Sequence, residues 1–512
     1  MNSGAIDAKA SDARDPLGLP TLAFAYRAIS ALGWFVLLGL VVPTVLYLAV
    51  DGRRGGLEVL TLISIVAYSA GRLAMVVWSG KPRILQLTFW VYVYVWLGLA
   101  ALLQVRSNHF PWPGSYDADL VQATLLTILV GLAAYEIGLV AGRGPAWPLG
   151  GVLARRISPL RTLVLSAWAS ALGVYLVSRI GGVGVLLVSR VEFQRVFARM
   201  GGGGSLAVPM LIKAGLSIPA FVALLALWSL WIDRRGLSTV RRRWVLPSLL
   251  ALFALNAIVN NPLSASRAWF GTIALGLAFT AMRWRPGYSA SLWTAGLLGL
   301  FILAFPYADL FRASVAFSGV PEGGSGVASE LMTNGDYASF QQLLNAHRYV
   351  GQQGWALGRQ MMGTLLVWIP RSIWPGKPID SGDLVATHMG YAYTNLEMPL
   401  WGELFIDGGL VAVAMGFLLY GIITARLERG IEGLDFSRAK LGVLVIATLV
   451  GLQIQLVRGD LMSNLLWMLV ALTLLWMVSV RQKEGAGQAA RGHPGEGAEA
   501  TPANVSGDLV AG

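Results

Sequence analysis

The chain contains no cysteine and few charged residues. None of its 512 residues is Cys, and only 13% are Asp, Glu, Lys or Arg, about half the share usual in soluble domains. The absence of cysteine excludes a disulfide framework and a thiolate metal site. The scarcity of charge, beside 55% hydrophobic residues, argues against a set of soluble domains and indicates a membrane protein.

Long apolar runs recur along the chain. Runs of about 20 residues have the length that a helix needs to cross a hydrocarbon layer of roughly 30 Å. They do not alternate in polarity, as the strands of a membrane barrel would. The sequence therefore predicts an all-α, polytopic membrane protein with about twelve transmembrane helices. We place them at 29–50, 57–78, 84–104, 119–141, 162–180, 206–232, 245–260, 267–282, 291–307, 403–423, 441–457 and 463–480.

Polar segments flank and divide these spans. Residues 1–28 are polar, with no apparent cleavable signal peptide, and residues 481–512 are rich in Gly, Ala and Glu. Both are predicted to be disordered cytoplasmic tails. Spans one to nine occupy 29–307, and spans ten to twelve occupy 403–480. The segment 308–402 between them is too long for a bare connection, so we expect a folded external cap.

The positions of Lys and Arg predict the orientation. With both termini in the cytoplasm, most of the 39 basic residues fall in inside segments. Dense clusters lie at 143–161 and in "DRRGLSTVRRR" (233–243), whereas the short outside loop "DGRRGG" opposes the trend. The bias places both termini inside and the cap outside. Arg72 and Lys213 fall within spans, where charge is expensive, and are expected to face the bundle interior.

A stiff, cationic stretch lies late in the cap. "IPRSIWPGKPIDSG" (369–382) contains three prolines, one Arg, one Lys and one Trp. The overlapping segment "GRQMMGTLLVWIPRSIW" (358–374) predicts an apolar helix that stops before Pro370, because proline disfavours helical geometry in the residue before it. That helix is short for a span. We expect it to lie in the membrane interface or to dip into the membrane against protein.

Basic residues are frequent in the segments predicted to lie outside, against the inside bias. A diphosphate is a fitting partner, because guanidinium groups bind phosphate oxygens in bidentate geometry and stabilise charge on a leaving group. Anchoring to anionic lipid headgroups is the alternative for each residue. The candidates for a diphosphate site are Arg371, Lys377, Arg267, Arg190, Arg195 and Arg348; Arg199, Arg312 and Arg359 lie in the same segments.

The Pro-Arg…Lys-Pro stretch, followed by "WGELFIDGGL" (401–410), resembles the O-antigen and exopolysaccharide repeat-unit polymerases of the Wzy type. Those proteins commonly carry such a stretch late in a large periplasmic loop, and a Gly-Glu pair then opens the next span. Arg371 and Gly382 also match an Arg-x10-Gly spacing described for some members. The resemblance covers roughly 309–416, and "GGVGVLLVSR" resembles the family's other external loop.

The resemblance implies a glycosyltransferase of the bacterial cytoplasmic membrane whose active site faces the periplasm. A hydroxyl of an incoming lipid-linked repeat unit attacks the anomeric carbon of a growing glycan, and undecaprenyl diphosphate leaves. The implied partners are undecaprenyl-diphosphate-linked oligosaccharides and membrane lipid, with a chain-length regulator and a flippase as further candidates. Nucleic acid is not expected. Neither a cofactor nor a metal is expected, because arginines can stabilise the departing charge.

Other residues of the cap are candidates for the remaining roles. A carboxylate at the start of span ten could activate the attacking hydroxyl, although a helix N-terminus favours a carboxylate in any case. Loop histidines can act as a base near neutral pH. Aromatic residues stack on sugar faces but also form interfacial belts. The candidates are Glu403, His388 and His347 for the base, and Trp374, Tyr391, Tyr393 and Trp401 for the sugar.

These candidates lead to one geometric hypothesis. The prolines would hold Arg371 and Lys377 over the external mouth of the bundle, since proline fixes φ and reduces the entropy lost on ordering. Glu403 would lie beneath. Arg371 and Glu403 are then expected to line one cavity, together with at least one of Arg190, Arg195 or Arg267 (the last opens span eight). That cavity should open sideways to lipid, because a polyprenyl tail leaves the bilayer only at high cost.

Two other functions fit parts of the sequence. An O-antigen ligase would use the same donor and similar arginines but would pass the glycan to a lipid A core. A polysaccharide or lipid transporter would show two repeat-related halves with broken helices near the midplane, and it would not need a long cap. The pattern around the Pro-Arg…Lys-Pro stretch favours the polymerase.

The predicted topology can be tested with a reporter fusion. A reporter inserted within residues 323–335 should be active on the periplasmic side, because the basic bias places the cap outside. Paired alkaline phosphatase and green fluorescent protein fusions measure this directly. A cytoplasmic signal at this position would invert the topology and separate the predicted site from its substrate.

Overall fold

The chain folds into a bundle of helices with almost no strand, as the all-α prediction requires. The computed structural model describes residues 22–144, 150–187, 207–233, 239–261, 267–282, 284–286, 288–304, 326–432, 440–459 and 461–481. In chain order the helices are α1 (Leu22–Val36), α2 (Val42–Leu48), α3 (Leu57–Ser79), α4 (Ile84–Tyr92), α5 (Ala101–Ser107), α6 (Ala118–Ala141), α7 (Gly150–Leu153), α8 (Pro159–Arg179), α9 (Ala207–Ile232), α10 (Thr239–Val259), α11 (Arg267–Ala281), α12 (Ser289–Leu298), α13 (Val327–Thr333), α14 (Ser339–Gln353), α15 (Arg359–Leu365), α16 (Ser381–His388), α17 (Leu400–Glu432), α18 (Leu441–Arg458) and α19 (Leu461–Val478).

Shorter elements complete the described fold. π-Helical segments join α1 to α2 at Leu37–Val41 and α4 to α5 at Val93–Ala100. Another follows α12 at Gly299–Ala304. Two antiparallel strands of two residues each, β1 (Arg156–Ile157) and β2 (Ser479–Val480), connect the start of α8 to the end of α19.

Nine helical segments among the described residues are long and apolar enough to cross a membrane. They match nine of the predicted spans. Three shorter apolar helices, Arg243–Val259, Ala268–Ala281 and Ser289–Leu303, coincide with the other three. The chain is therefore a multi-pass membrane protein by helix length and composition, while the number of twelve stays a prediction.

The third span is the centre of the bundle. In the helical segment Ile84–Ser107, residues 84–105 are all buried, including Trp90, Tyr92 and Trp96. A helix that is apolar on all sides needs neighbours on all sides. Trp401 of α17 stacks near Tyr92, with ring centroids 6.3 Å apart, so the central helix contributes directly to the position of α17.

Glycines allow α6 and α17 to approach closely. A Cβ built on Gly421 would lie 2.3 Å from the carbonyl oxygen of Tyr135, and one on Gly138 would lie 2.3 Å from that of Leu418. Gly131 leaves room for the Trp401 ring, since its Cβ would lie 2.1 Å from Nε1. Backbones that touch in this way maximise van der Waals packing, which is a main source of helix association in lipid.

Helix α17 is kinked within the motif "DGG". Gly408 and Gly409 have non-helical torsions, with φ −161° and ψ 27° at the first and φ 63° and ψ −152° at the second. The kink interrupts the helical ladder, and the preceding carbonyls accept other donors instead. The carbonyl of Ile406 accepts from Ala356 N at 2.8 Å, and that of Asp407 from Gly358 N at 3.3 Å. Through these two carbonyls, α17 holds residues 356–358, which lie just before α15.

Three buried carboxylates of α17 bind the N-termini of three other helices. Glu403 accepts a hydrogen bond from Leu461 N of α19 at 2.8 Å. Asp407 accepts from the backbone N–H groups of residues 360 and 361 in α15, at 3.0 and 2.6 Å. Glu428 accepts from Gln86 N of α4 at 2.9 Å. The first turn of a helix has unpaired N–H groups and a positive dipole end, so each carboxylate fixes a helix start.

Contacts between helix ends order the bundle. The Phe24 and Trp78 rings lie 5.1 Å apart, and Lys81 pairs with Glu432 at 3.1 Å. With the β1–β2 pair, these contacts place the start of α1 and the end of α19 at the same end of the bundle. The segment 326–399, which we call the cap, joins the opposite end, where α14 packs on α6 and α17. Which end faces the cytoplasm stays a prediction.

Replacing Gly421 with alanine tests the close contact between α6 and α17. We expect Gly421→Ala to lose roughly 1–3 kcal/mol of stability, because the added Cβ overlaps the Tyr135 carbonyl. The measurement is the melting temperature of the detergent-solubilised protein by fluorescence-detected size-exclusion. Gly271→Ala is the matched control, since nothing lies within 4 Å of its Cβ position in α11. Equal melting temperatures for the two variants would contradict the contact.

Candidate functional site

Several predicted site residues lie outside the described part of the chain. Arg190 and Arg195 belong to residues 188–206, and Arg312 to residues 305–325, none of which the structure describes. Arg267 begins α11, but its side chain is also outside the description. The expectation that Arg190, Arg195 or Arg267 joins Arg371 therefore stays a prediction.

The Pro-Arg…Lys-Pro stretch forms a loop whose cations bind its own backbone. We call residues 366–378 the cationic loop. Arg371 is exposed and donates to the carbonyls of residues 377 and 378 at 2.6 and 3.0 Å. Lys377 Nζ donates to the carbonyls of residues 367 and 369 at 2.6 and 3.1 Å. Arg359, at the start of α15, donates to the carbonyl of Gly376 at 3.0 Å.

The positive charges of the cationic loop, and that of Arg359 beside it, have no counter-charge among the described residues. Among the described residues, none of Arg359, Arg371 and Lys377 forms an ion pair with a carboxylate. Burial, and then the like charge of Arg371, lower the pKa of Lys377 below its usual range. Arg371 uses two of its five N–H donors on the loop. The remaining donors and the uncompensated charge can bind an anion.

Glu403 is buried at the start of α17 and is occupied by α19. Its Oε1 accepts from Leu461 N, and Arg371 forms its hydrogen bonds with loop carbonyls instead. Asp407, one turn further along α17, fixes the N-terminus of α15, which leads directly into the cationic loop. Asp407 was not among the predicted site residues, although it directly precedes the "GG" pair at which the helix is kinked.

The two candidate histidines occupy different surroundings. His347 lies on α14 with Nε2 2.9 Å from Thr127 Oγ1, and its ring stacks on Phe405 at 3.9 Å. Burial lowers the pKa of His347 to about 4, so this imidazole is neutral at neutral pH. His388 ends α16, with Nε2 2.6 Å from Gln352 Oε1 at the surface of the cap.

Three aromatic rings stack at the edge of the cap. Tyr391 and Tyr393 both lie parallel to Trp112, with ring centroids 5.9 and 6.3 Å away. Tyr391 donates to the Pro113 carbonyl at 3.0 Å and accepts from Asn345 at 3.0 Å. We call these three rings the aromatic platform. Trp112, which is half-buried, was not among the predicted residues, although "PWP" in a short loop after span three signals a rigidly held tryptophan.

The remaining predicted side chains are distributed around this region. Arg348 donates to the Ser115 carbonyl at 2.5 Å and lies over the Tyr116 ring at 5.0 Å, so it joins the loop that carries Trp112. Trp374 is half-buried inside the cationic loop. Trp401 is fully buried in the bundle and donates to the Ile128 carbonyl, so neither of its faces is open to a sugar.

A partly buried ionic cluster joins the cap to the bundle. Arg458, the last residue of α18, lies 2.6 Å from Glu397 Oε2 and 3.0 Å from Asp336 Oδ1. Ser339 donates to Glu397 Oε1 at 3.3 Å. Burial raises the pKa of the Glu397 carboxyl to about 8, and Arg458 opposes the rise. This cluster could not be predicted from the sequence, because its three members are far apart in the chain.

An ion pair and a groove lie in the bundle, outside residues 326–399. Arg72 of α3 pairs with Glu136 of α6 at 2.6 Å and lies 5.5 Å from the Trp90 ring, in the half of the bundle opposite to the cap. A groove of about 420 Å³ between α3 and α6 is lined by Leu57, Thr61, Asp119, Gln122, Ala123, Leu125, Leu126 and Leu129. No predicted site residue lines it.

No family model, curated protein or solved structure matches this chain. The family resemblance of the cap motif therefore stays a hypothesis, and function has to be argued from the site.

The ionic cluster of Glu397, Asp336 and Arg458 predicts a pH dependence of stability. A carboxyl whose pKa is raised in the folded state contributes most below its usual pKa, and the contribution is lost as the pH rises toward about 8. Folded protein binds more protons than unfolded protein in this window, so stability falls with rising pH. The difference in melting temperature between the wild type and Glu397→Gln should therefore shift by a few degrees between pH 5 and pH 8, with the wild type losing stability. About 1 kcal/mol corresponds to roughly 2–4 °C.

Gln remains neutral throughout this range, so Glu397→Gln serves as the reference. Parallel melting curves for the wild type and the variant would show that Glu397 is charged in the folded protein at all these pH values.

Proposed function

We propose that this protein is a membrane glycosyltransferase that polymerises lipid-linked repeat units. In this proposal a growing glycan passes from undecaprenyl diphosphate to a hydroxyl of an incoming lipid-linked repeat unit, at the periplasmic face of the bacterial cytoplasmic membrane. The observation that carries the proposal is the cationic loop. Arg359, Arg371 and Lys377 form no ion pair with a described carboxylate, and they lie on a segment of a membrane protein whose apolar side chains are exposed.

The cations suit the leaving group of this reaction. The bond between the anomeric carbon and the diphosphate oxygen breaks, and a bond to the acceptor hydroxyl oxygen forms. The electron pair of the broken bond stays on the diphosphate, while the proton of the hydroxyl passes to a base. Guanidinium groups that are already positioned stabilise the developing negative charge without reorganisation. Prolines limit the motion of the loop and so contribute to this positioning.

The other candidate residues have supporting roles in the proposed reaction. The aromatic platform offers flat apolar faces to sugar rings, and Arg348 stabilises the neighbouring loop through Ser115 and Tyr116. Glu403 is occupied by α19, and His347 is a weak base because burial lowers its pKa. His388, at the cap surface three residues before Tyr391, is therefore the best placed of the predicted bases.

A ligase or a transporter is distinguished from a polymerase by a gene deletion followed by a glycan gel. Single-repeat glycans in place of a ladder support the polymerase. Polymer that remains lipid-linked and unattached supports an O-antigen ligase. Loss of all external glycan supports a transporter, and an unchanged ladder contradicts all of these functions.

Substitutions at Arg371 test the role of the cationic loop. Arg371→Lys keeps the charge but loses the planar fork, so polymer yield should fall clearly below that of the wild type. Arg371→Ala should lower the polymerisation rate further, by roughly 10²–10³-fold if the guanidinium stabilises the leaving group. The measurement is ladder length and intensity at matched protein levels.

Arg53→Lys is the control for Arg371→Lys, since Arg53 is an exposed arginine of the loop before α3 and should tolerate the change. Normal ladders for both Arg371 variants would mean that Arg371 only anchors the loop.

A further inference from the structure

One segment of the cap is apolar on its outer surface. Within residues 326–399, every large apolar side chain that is exposed lies between residues 355 and 379, a segment that we call the apolar hairpin. Leu357 is 82% exposed and Ile373 is 75% exposed. The other exposed apolar members are Trp355, Met362, Leu365, Trp368 and Ile379. A patch of this kind marks a surface that meets lipid or protein.

The apolar hairpin is fixed against the bundle. Asp407 holds the first turn of α15, as described above. A Cβ on Gly363 would lie 2.3 Å from Pro378 Cγ and 3.1 Å from Met462 Cε. The two limbs of the hairpin therefore touch each other and the start of α19. The hairpin lies against α17 and α19 rather than extending into solution.

The exposed surface of the hairpin continues onto a helix of membrane-spanning length. Trp355 lies against Gly409, whose Cβ position is 3.3 Å from the Trp355 ring. Just beyond the kink, α17 exposes Val411 (70%), Met415 and Leu419. These side chains belong to a candidate span, so their natural surroundings are acyl chains. Acyl chains would then also cover the exposed apolar side chains of the hairpin.

The backbone of the cationic loop, which is part of the hairpin, is adapted to a site with little water. Its three prolines carry no N–H group, so they leave no donor unsatisfied. Five loop carbonyls accept hydrogen bonds from Arg359, Arg371 or Lys377. A loop in water would not need these bonds, whereas irregular backbone at membrane depth must be satisfied by protein. Tryptophan, lysine and arginine are also the residues enriched at membrane interfaces.

We propose that the apolar hairpin, residues 355–379, lies in the interface of the membrane that the helices span. Its exposed apolar side chains lie among the acyl chains, and Arg359, Arg371 and Lys377 lie at the depth of the lipid phosphates. The occupant of this surface is bilayer lipid. The inference concerns the position of the segment and does not require glycosyl transfer.

The absence of cysteine makes a direct test possible. Single variants Leu357→Cys, Leu365→Cys and Ile373→Cys receive a nitroxide label and are reconstituted in phosphatidylcholine–phosphatidylglycerol vesicles. Val411→Cys is the lipid reference, and Gln353→Cys, exposed at the end of α14, is the water reference. Electron paramagnetic resonance then compares the accessibility of each label to oxygen, which enters lipid, and to a nickel chelate, which stays in water.

The hairpin labels should show an oxygen-to-nickel ratio several-fold above that of Gln353→Cys and close to that of Val411→Cys. A ratio equal to that of Gln353→Cys would place the hairpin in solution and overturn the proposal. Low accessibility to both reagents, with broadening between labels, would show a second copy of the chain on this surface and would also overturn it.

The role of the cations has its own test. In a background of Arg371→Gln and Lys377→Gln, the label at Ile373 should move toward the water reference, because the released carbonyls then need water as a partner. An unchanged ratio would show that the cations do not hold the loop at this depth. Neither experiment uses glycan synthesis, so failure here is distinct from failure of the proposed polymerase.

Discussion

Buried carboxylates that bind helix N-termini hold this structure together. Glu403, Asp407 and Glu428 all lie on α17, and each accepts backbone N–H groups from the start of another helix. A carboxylate in an apolar bundle is expensive unless it is hydrogen-bonded, and the first turn of a helix has N–H groups without partners. The carboxylates and the helix N-termini therefore satisfy each other. In this way α17 positions α19 and α15 at the cap end and α4 at the opposite end.

The kink at Gly408 and Gly409 gives this helix a second role. It releases two carbonyls, which bind the chain just before α15, while Asp407 binds the first turn of α15 itself. The cationic loop follows directly, so its position depends on a break in a spanning helix. The residues that carry the proposed chemistry are thus attached to the bundle through backbone hydrogen bonds rather than through the flexible ends of long side chains.

The basic side chains at the cap end fall into two groups. Arg458 is partly buried and lies against two acidic side chains, because a guanidinium withdrawn from water without a partner would destabilise the fold. Arg359, Arg371 and Lys377 meet only carbonyls among the described residues, which leaves their net charge available to an anion. The first group explains how the cap is joined to the bundle. The second explains why a diphosphate, rather than a neutral sugar, is the ligand class that we propose for the loop.

The sequence alone determined the helical class and the places of the nine helices of membrane-spanning length, because apolar runs of that length have few alternatives in a chain so poor in charge. It also identified the short helix before Pro370 and the cationic stretch after it. The roles of single residues were decided only by tertiary structure. Glu403 and Trp401 have the same appearance in the sequence whether they face a substrate or the bundle, yet the structure places one on the N-terminus of α19 and the other in the aromatic core. Trp112, Glu397 and Arg458 acquire their partners from segments that are distant in the chain, and no local pattern encodes a contact of that kind.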